Sequence, residues 1–226
     1  MLISIPGVLT VEEVIRARNS LEGATWADGR RSAGYLSQAV KNNEQLPDDD
    51  PIARDLGEII LTALQNNAPF TSAALPLKVL PPLFNRYSGG QFYGGHIDGA
   101  VRPIAGSPHQ VRTDLSATLF LSDPESYDGG ELIVKDTLGE RGTKLSAGDM
   151  VLYPGTSVHR IEPVTRGVRL SAFFWIQSMV RDNAQRSMLF ELDSVIQRLA
   201  TDVPKHAALV ELAGIYHNLL RFWADT

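Results

Sequence analysis

The 226-residue chain predicts a mostly β fold with flanking helices, in which an antiparallel sandwich or barrel is preceded by helices and followed by a helical extension. Two observations carry this expectation. From Leu77 to Ser178, short runs rich in Val, Ile, Leu, Phe and Tyr are separated by Ser88-Gly89-Gly90, Tyr127-Asp128-Gly129-Gly130, Ala147-Gly148-Asp149 and Thr165-Arg166-Gly167. Turn signals at such regular intervals are those of an all-β domain. On either side of this stretch, apolar residues recur at helical spacing instead.

In chain order, Thr10-Val11-Glu12-Glu13 has the form of a capping box, so a helix is expected from about Val11 to Leu21. The segment from Asp28 to Asp50 is rich in Gly, Asn, Gln and Asp and reads as an ordered loop or short strand plus a turn. Ile52, Leu56, Ile59, Ile60, Ala63 and Leu64 mark a second helix over 52–66. Beyond Ser178, Met188, Leu189, Leu192, Val195, Ile196 and Leu199 form one stripe, and Pro204 is expected to open a last helix carrying Leu209, Leu212, Ile215, Tyr216, Leu219 and Leu220. The chain thus divides into a helical support with a site-covering loop (1–76), a β core (77–178) and a helical extension (179–226).

The chain has no cysteine, which excludes a disulfide scaffold, a thiolate zinc site, an iron-sulfur cluster and a cysteine nucleophile. Any metal must then sit on His, Asp or Glu. The N-terminus carries no basic or long apolar leader, and a cytoplasmic location is expected. A net charge of -5 gives no footprint for nucleic acid, and no polybasic segment argues for a membrane. A small molecule or a peptide is the expected partner.

Of five histidines, one begins an H-x-D pattern, His96-Ile97-Asp98. Side chains two apart on a strand share a face, so this imidazole and carboxylate can reach one ion while Ile97 turns into the opposite layer. His159, after the Gly148-Asp149 turn and at the start of an expected strand, supplies a second imidazole. Two His and one carboxylate are the facial triad of non-haem Fe(II) oxygenases. In a chain with five histidines the H-x-D tripeptide alone is weak; Arg169 adds weight. It follows His159 by ten residues across the Pro163–Gly167 turn, which suggests neighbouring antiparallel strands. There it can fork onto the distal carboxylate of a dicarboxylate, and Ser171 shares its face. A strand Arg is more often solvated, yet the apolar run from Leu170 to Ile176 argues for burial. Charge supports the set: iron on two neutral imidazoles and one carboxylate keeps one positive charge, a dianionic cosubstrate reverses it, and Arg169 restores neutrality.

These residues resemble the PKHD-type hydroxylases, of the prolyl 4-hydroxylase-like branch of Fe(II)/2-oxoglutarate dioxygenases. The likeness runs nearly end to end, through Asp28-Gly29-Arg30, Val40-Lys41-Asn42-Asn43, Asn85-Arg86-Tyr87, Tyr93-Gly94-Gly95-His96-Ile97-Asp98, Asp128-Gly129-Gly130-Glu131-Leu132, Val158-His159 and Gly167-Val168-Arg169. It continues from Arg181-Asp182 through Phe190-Glu191-Leu192-Asp193 in the tail. The resemblance implies a double-stranded β-helix (jelly-roll, cupin-like) core, iron on His96, Asp98 and His159, and 2-oxoglutarate on Arg169. It also implies contact of the cosubstrate with Tyr87, nine residues before His96, a use for L-ascorbate in re-reducing iron, and a link to iron homeostasis. No catalytic residue beyond the metal centre is expected.

Ser116 and Thr118 alternate on one face of 115–121 and suit either the same pocket or core packing. Two rival readings stand beside the hydroxylase. One is a non-catalytic cupin-like sensor of metal or ligand, which gives Arg169 no task; the other is a metal-assisted hydrolase with Glu131 as base. Residues 28–43 are candidates to fold over the site, and the helical tail either covers the barrel or makes a homodimer.

Overall fold

A computed structural model describes every residue except 1, 105 and 138. Its strands are β1 (Ile3–Ile5), β2 (Ala27–Asp28), β3 (Lys41–Asn42), β4 (Glu44–Gln45), β5 (Pro76–Val79), β6 (Leu83–Ser88), β7 (Phe92–His96), β8 (Val101–Pro103), β9 (Gln110–Arg112), β10 (Leu115–Phe120), β11 (Asp128–Gly129), β12 (Leu132–Asp136), β13 (Gly139–Thr143), β14 (Met150–Pro154), β15 (His159–Ile161), β16 (Val164–Arg166) and β17 (Val168–Ser178). The helices are α1 (Val11–Glu22), α2 (Tyr35–Gln38), α3 (Pro51–Gln65), α4 (Ala68–Ala74), α5 (Asn183–Asp202) and α6 (Ala208–Trp223).

Two antiparallel sheets make the core. The larger runs β1-β14-β10-β17-β6-β4-β2, with β5 added along the far half of β17; the smaller runs β13-β12-β15-β7-β3. Alternation along the larger sheet explains how both of its faces are used. Leu115, Ala117 and Leu119 of β10 join Leu152, Ala172 and Phe174 in a core shared with Leu21 of α1, Leu56 and Ile60 of α3 and Phe70 of α4. The intervening Phe120, with Val151, Tyr153 and Tyr87, packs instead with Leu132, Val134 and Ile161 of the smaller sheet. Helices therefore back one face, and the other looks inward across the sandwich. This is the expected double-stranded β-helix.

The first helix begins as its sequence dictates: Thr10 Oγ1 accepts from Glu13 N at 3.2 Å, and Glu13 Oε2 accepts from Thr10 N at 2.8 Å. Asp50 caps α3 ahead of Pro51. Residues 28–50 fold as short strands, a 3-10 turn and α2. Arg86 ties this segment to β6, forking onto Glu44 at 2.8 and 2.8 Å with its guanidinium 4.9 Å from the centre of the Trp26 ring.

The tail departs from expectation in two ways. Its last helix starts at Ala208, and Pro204 lies in the turn before it, because reversing the chain after α5 takes the residues between Asp202 and Ala208. The α5 stripe is only partly used: Leu189 is buried with Leu75 and Val180 against Tyr216, Leu219 and Trp223, while Met188 and Val195 are exposed. The tail has one apolar face to rest on, which a full stripe exceeds. Among the described residues no helix is long and apolar enough to cross a membrane.

Replacing Thr10 with Ala removes half of the capping box and is expected to cost about 1 kcal/mol. Urea unfolding should show a lower midpoint with an unchanged slope; an unchanged midpoint would mean that α1 is held by packing alone.

Candidate active site

The two histidines meet because β7 and β15 pair: His96 lies directly opposite His159 in the register. Their rings stand 4.2 Å apart between centroids. His96 is the last residue of β7, and the chain beyond it turns so that Asp98 comes back to the pair. Ile97 is consequently exposed and does not enter the opposite layer as the strand reading expects. Ligand atoms of His96, Asp98 and His159 all lie within 4.8 Å of one another, and they form the metal-type cluster found among the described residues.

Neighbours hold each donor in place. His96 Nδ1 lies 2.8 Å from the Gly94 carbonyl and His159 Nδ1 3.1 Å from that of Ser157. With Nδ1–H donating to a carbonyl, each Nε2 presents a lone pair inward. Ser116 Oγ donates to Asp98 Oδ2 at 2.7 Å, leaving His159 Nε2 3.8 Å from the same oxygen. Tyr93 stacks on His96 at 3.6 Å, and Tyr153 stands edge-on to His159 at 5.0 Å. Burial, and after it the facing His159, lowers the His96 pKa to about 4, so its imidazole is neutral at pH 7.

Arg169 has none of its surface exposed. It does not sit on a strand beside His159, because the turn between them is a crossover: β16 pairs with β11, and the chain passes from the smaller sheet to the larger. Gly167, with φ +72, makes that passage; a Cβ there would come 2.2 Å from the Ser126 carbonyl. The two residues therefore come from opposite sheets. Arg169 Nε donates to the Gly130 carbonyl at 2.9 Å and Nη1 to Ser171 Oγ at 2.6 Å, and Ser171 passes its own proton to Asn85 Oδ1 at 2.5 Å. Its guanidinium lies 5.4 Å from the Tyr87 ring centre and 5.3 Å from that of Phe120. Among the described residues no carboxylate is within 4.0 Å of it, and Nη2 has no partner. Gly130, with φ +70, is needed here because a Cβ would meet the Arg169 Cδ at 3.0 Å.

The cavity holding the triad is lined by Tyr87 and Asn85 at its floor and by Ser116 and Thr118 along β10. Ser32, Ala33, Gly34 and Ser37 border it, so the 28–43 segment lies against the site. Arg169 is not itself in the lining; it stands behind Tyr87, its cross-strand partner. Glu131 is not in the lining either, which leaves the hydrolase reading without its base.

Residues 183–225 match the PKHD-type hydroxylase C-terminal domain, and residues 82–177 match the 2OG-Fe(II) oxygenase superfamily. A PKHD-type hydroxylase of Pseudomonas aeruginosa (strain LESB58) is 59% identical over 225 residues, covering 100% of both chains. The chain belongs to the PKHD-type hydroxylase family. Another member, from Parvibaculum lavamentivorans, is 55% identical over 226 residues with the same coverage. Among solved structures, a prolyl hydroxylase from Trichoplax adhaerens, in complex with a peptide fragment of the hypoxia inducible factor oxygen degradation domain, has a TM-score of 0.57 at 12% identity, covering 83% of this chain and 86% of that one. HygX from Streptomyces hygroscopicus, with nickel, 2-oxoglutarate and hygromycin B bound, has a TM-score of 0.53 at 18% identity, covering 78% and 82%. At those identities the likeness is one of fold.

As a PKHD-type hydroxylase the protein is a 2-oxoglutarate-dependent oxidoreductase using Fe(2+), and the sensor reading falls away. The donor set fits that metal: two imidazoles and one carboxylate with no thiolate, each oriented by a hydrogen bond. Sequence reasoning missed Asn85 and Gly130 as supports of Arg169. Asn85 had a signal, since it stands two residues from Tyr87 on the same strand face; Gly130 had none beyond its turn.

The His96 pKa sets a pH dependence for metal-free protein. In the unfolded chain this imidazole takes a proton near pH 6.5, in the folded one near 4, so the unfolded state binds more protons in between. Stability should fall as pH drops through that window, by up to about 3 kcal/mol. Across urea midpoints in chelator at pH 7.5, 6 and 4.5, the wild type should lose stability toward low pH more steeply than His96→Asn; parallel profiles would show that His96 is not held neutral.

Proposed function

We propose that His96, Asp98 and His159 hold the ferrous ion, that Arg169 holds the distal carboxylate of 2-oxoglutarate with Ser171 and Tyr87 beside it, and that the substrate is a small molecule or a peptide. The observation that carries this reading is Arg169 itself: a fully buried cation with an unmatched N–H, no carboxylate within 4.0 Å, and a place beside Tyr87, which lines the cavity of the triad. A guanidinium in that state asks for an anion. The register supports the span. Ser116, which holds Asp98, and Phe120, which the guanidinium overlies, are four residues apart on β10, roughly 13 Å by strand rise. A metal and a five-carbon dicarboxylate fill that length once the Arg side chain reaches back along it.

When bound, iron and 2-oxoglutarate together activate O2 and deliver one oxygen atom to a C–H bond, with release of succinate and CO2. The chain's own work is positional. Gly94 and Ser157 carbonyls fix which nitrogen each imidazole offers, Ser116 turns the Asp98 carboxylate, and Ser171 with Asn85 fixes the Arg169 fork. Tyr87 and Tyr153, both buried, have their hydroxyl pKa values raised by burial and stay protonated, so they add no charge to the site. The segment bearing Ser32 to Ser37 limits the entry of water.

Asp98→Ala removes the one anionic ligand and should abolish stoichiometric Fe(II) binding with the fold intact by circular dichroism. One-to-one binding in that variant would overturn the ligand set. Arg169→Lys keeps the charge but loses the planar fork, and should weaken 2-oxoglutarate by more than tenfold, about 2 to 5 kcal/mol, with little change in iron affinity. The readout is anaerobic titration of 2-oxoglutarate into iron-loaded protein, followed by the visible charge-transfer band. Wild-type affinity in Arg169→Lys and Arg169→Ala alike would mean that another cation holds the cosubstrate.

A further inference from the structure

The open side of the same cavity carries two cations that the proposed chemistry does not use. Lys41, on β3, is 5% exposed. Its Nζ donates to Ser32 Oγ at 2.9 Å and to Gln45 Oε1 at 3.1 Å, both neutral, and lies 5.1 Å from the Tyr93 ring centre and 5.9 Å from that of Phe173. Arg102, on β8, is half-buried with its guanidinium 3.8 Å from the centre of the Trp175 ring. Both line the cavity of the triad. Among the described residues neither has a carboxylate within 4.0 Å, and Arg102 makes no side-chain hydrogen bond.

Four other arginines have a carboxylate, Arg86 with Glu44, Arg112 with Asp114, Arg160 with Glu140 and Arg166 with Asp128, and the buried Arg186, which has none within 4.0 Å, donates instead to the Val180 carbonyl and Asn183 Oδ1. Acids are in surplus, 26 against 21 basic residues, so the two cations do not go unpaired for want of partners. Burial first, and then the nearness of Arg102, lowers the Lys41 pKa to about 8, against a weaker opposing pull from Asp98, Asp28 and Asp48, none of which is within 4.0 Å of it. Asp98 cannot be that anion in the proposed site, because it faces the histidines and Ser116.

The cosubstrate does not account for them either. Trp175 stands opposite Ser116, which holds Asp98, and Phe173 opposite Thr118, whereas Arg169 lies four to six residues earlier on β17, so these cations stand level with the triad and not beside the distal carboxylate. Iron, its carboxylate ligand, a dianionic cosubstrate and Arg169 sum to neutrality; Lys41 and Arg102 add two positive charges, which Asp48 opposes from a distance without pairing either.

We infer that the substrate of this hydroxylase bears a carboxylate or a similar oxyanion that docks between Lys41 and Arg102, with an apolar or aromatic portion against Phe173 and Trp175. The inference rests on the proposed placing of iron and 2-oxoglutarate. The oxyanion offsets the surplus charge and takes the donors that both side chains have free, and the aromatic rings exclude water around it. A neutral analogue leaves the buried Lys41 and the half-buried Arg102 without a counter-charge, so the same feature gives selectivity.

The test uses anaerobic protein loaded with Fe(II) and 2-oxoglutarate, with 3-phenylpropionate and its neutral counterpart 3-phenylpropionamide as probes. Broadening of the probe proton signals by the paramagnetic iron reports binding near the metal, and the charge-transfer band reports the cosubstrate. The acid should bind saturably with the band intact, and the amide about tenfold more weakly or not at all. Lys41→Met and Arg102→Met should each weaken the acid about tenfold and leave the amide unchanged. Arg102 stands on a short hairpin, so its variant remains informative if Lys41→Met fails to fold. Equal binding of acid and amide, no binding of the acid, or an unaltered acid affinity in Arg102→Met would overturn the inference. Bleaching of the band by the acid would also overturn it, by assigning these cations to the cosubstrate. Failure of the band to form at all in wild-type protein would fall on the proposed placing of 2-oxoglutarate instead.

Discussion

Taking a guanidinium out of water costs several kcal/mol, and this protein does so at Arg169 without giving it a carboxylate. What it gives instead is neutral: the Gly130 carbonyl, the Ser171 hydroxyl, and the faces of Tyr87 and Phe120. Much of the local structure follows from accommodating that group. The left-handed Gly130 keeps a side chain off its stem, Asn85 receives the Ser171 proton so that the oxygen faces the guanidinium, and the crossover through Gly167 delivers it to the larger sheet. In the proposed role the cost is offset when a dianion arrives, so the charge that strains the metal-free protein becomes its recognition element.

The sheet that carries Arg169 serves two purposes because a strand has two faces. On β17, Ala172, Phe174 and Ile176 settle into the core under the helices, while Arg169, Ser171, Phe173 and Trp175 alternate with them on the other side. The helical layer supplies the apolar burial that stabilises the sheet, which frees the inner face to be polar where chemistry requires it. The smaller sheet brings the histidines as a cross-strand pair, so the two imidazoles and the guanidinium come from opposite layers. Rigid elements on both sides hold the geometry.

The same economy governs protonation. His96 is kept neutral by burial and by the facing His159, and its remaining nitrogen is occupied by a backbone carbonyl. His96 therefore has no proton to lose before a cation arrives. At the open end, the protein leaves Lys41 and Arg102 exposed to one another across a cavity lined with aromatic rings, a polarity opposite to its overall charge of -5.

The sequence by itself determined the β core between helices, the capped first helix, and the triad His96, Asp98 and His159, because strand alternation, capping chemistry and ligand type are local properties written in neighbouring residues. It also pointed to Arg169 and Ser171 as one face, a period-two relation that needs no partner strand. It erred where the answer depended on pairing. A turn of five residues between His159 and Arg169 reads as a hairpin, yet it crosses between sheets, since β16 finds its partner in β11, more than thirty residues earlier. Pro204 reads as a helix start, yet the docking of α5 decides where the chain can reverse. The register that sets His96 against His159, the burial of Arg169 beside Tyr87, and the placing of Lys41 and Arg102 on one cavity join segments far apart in the chain. Long-range strand pairing and burial decide such contacts, and no local pattern encodes them.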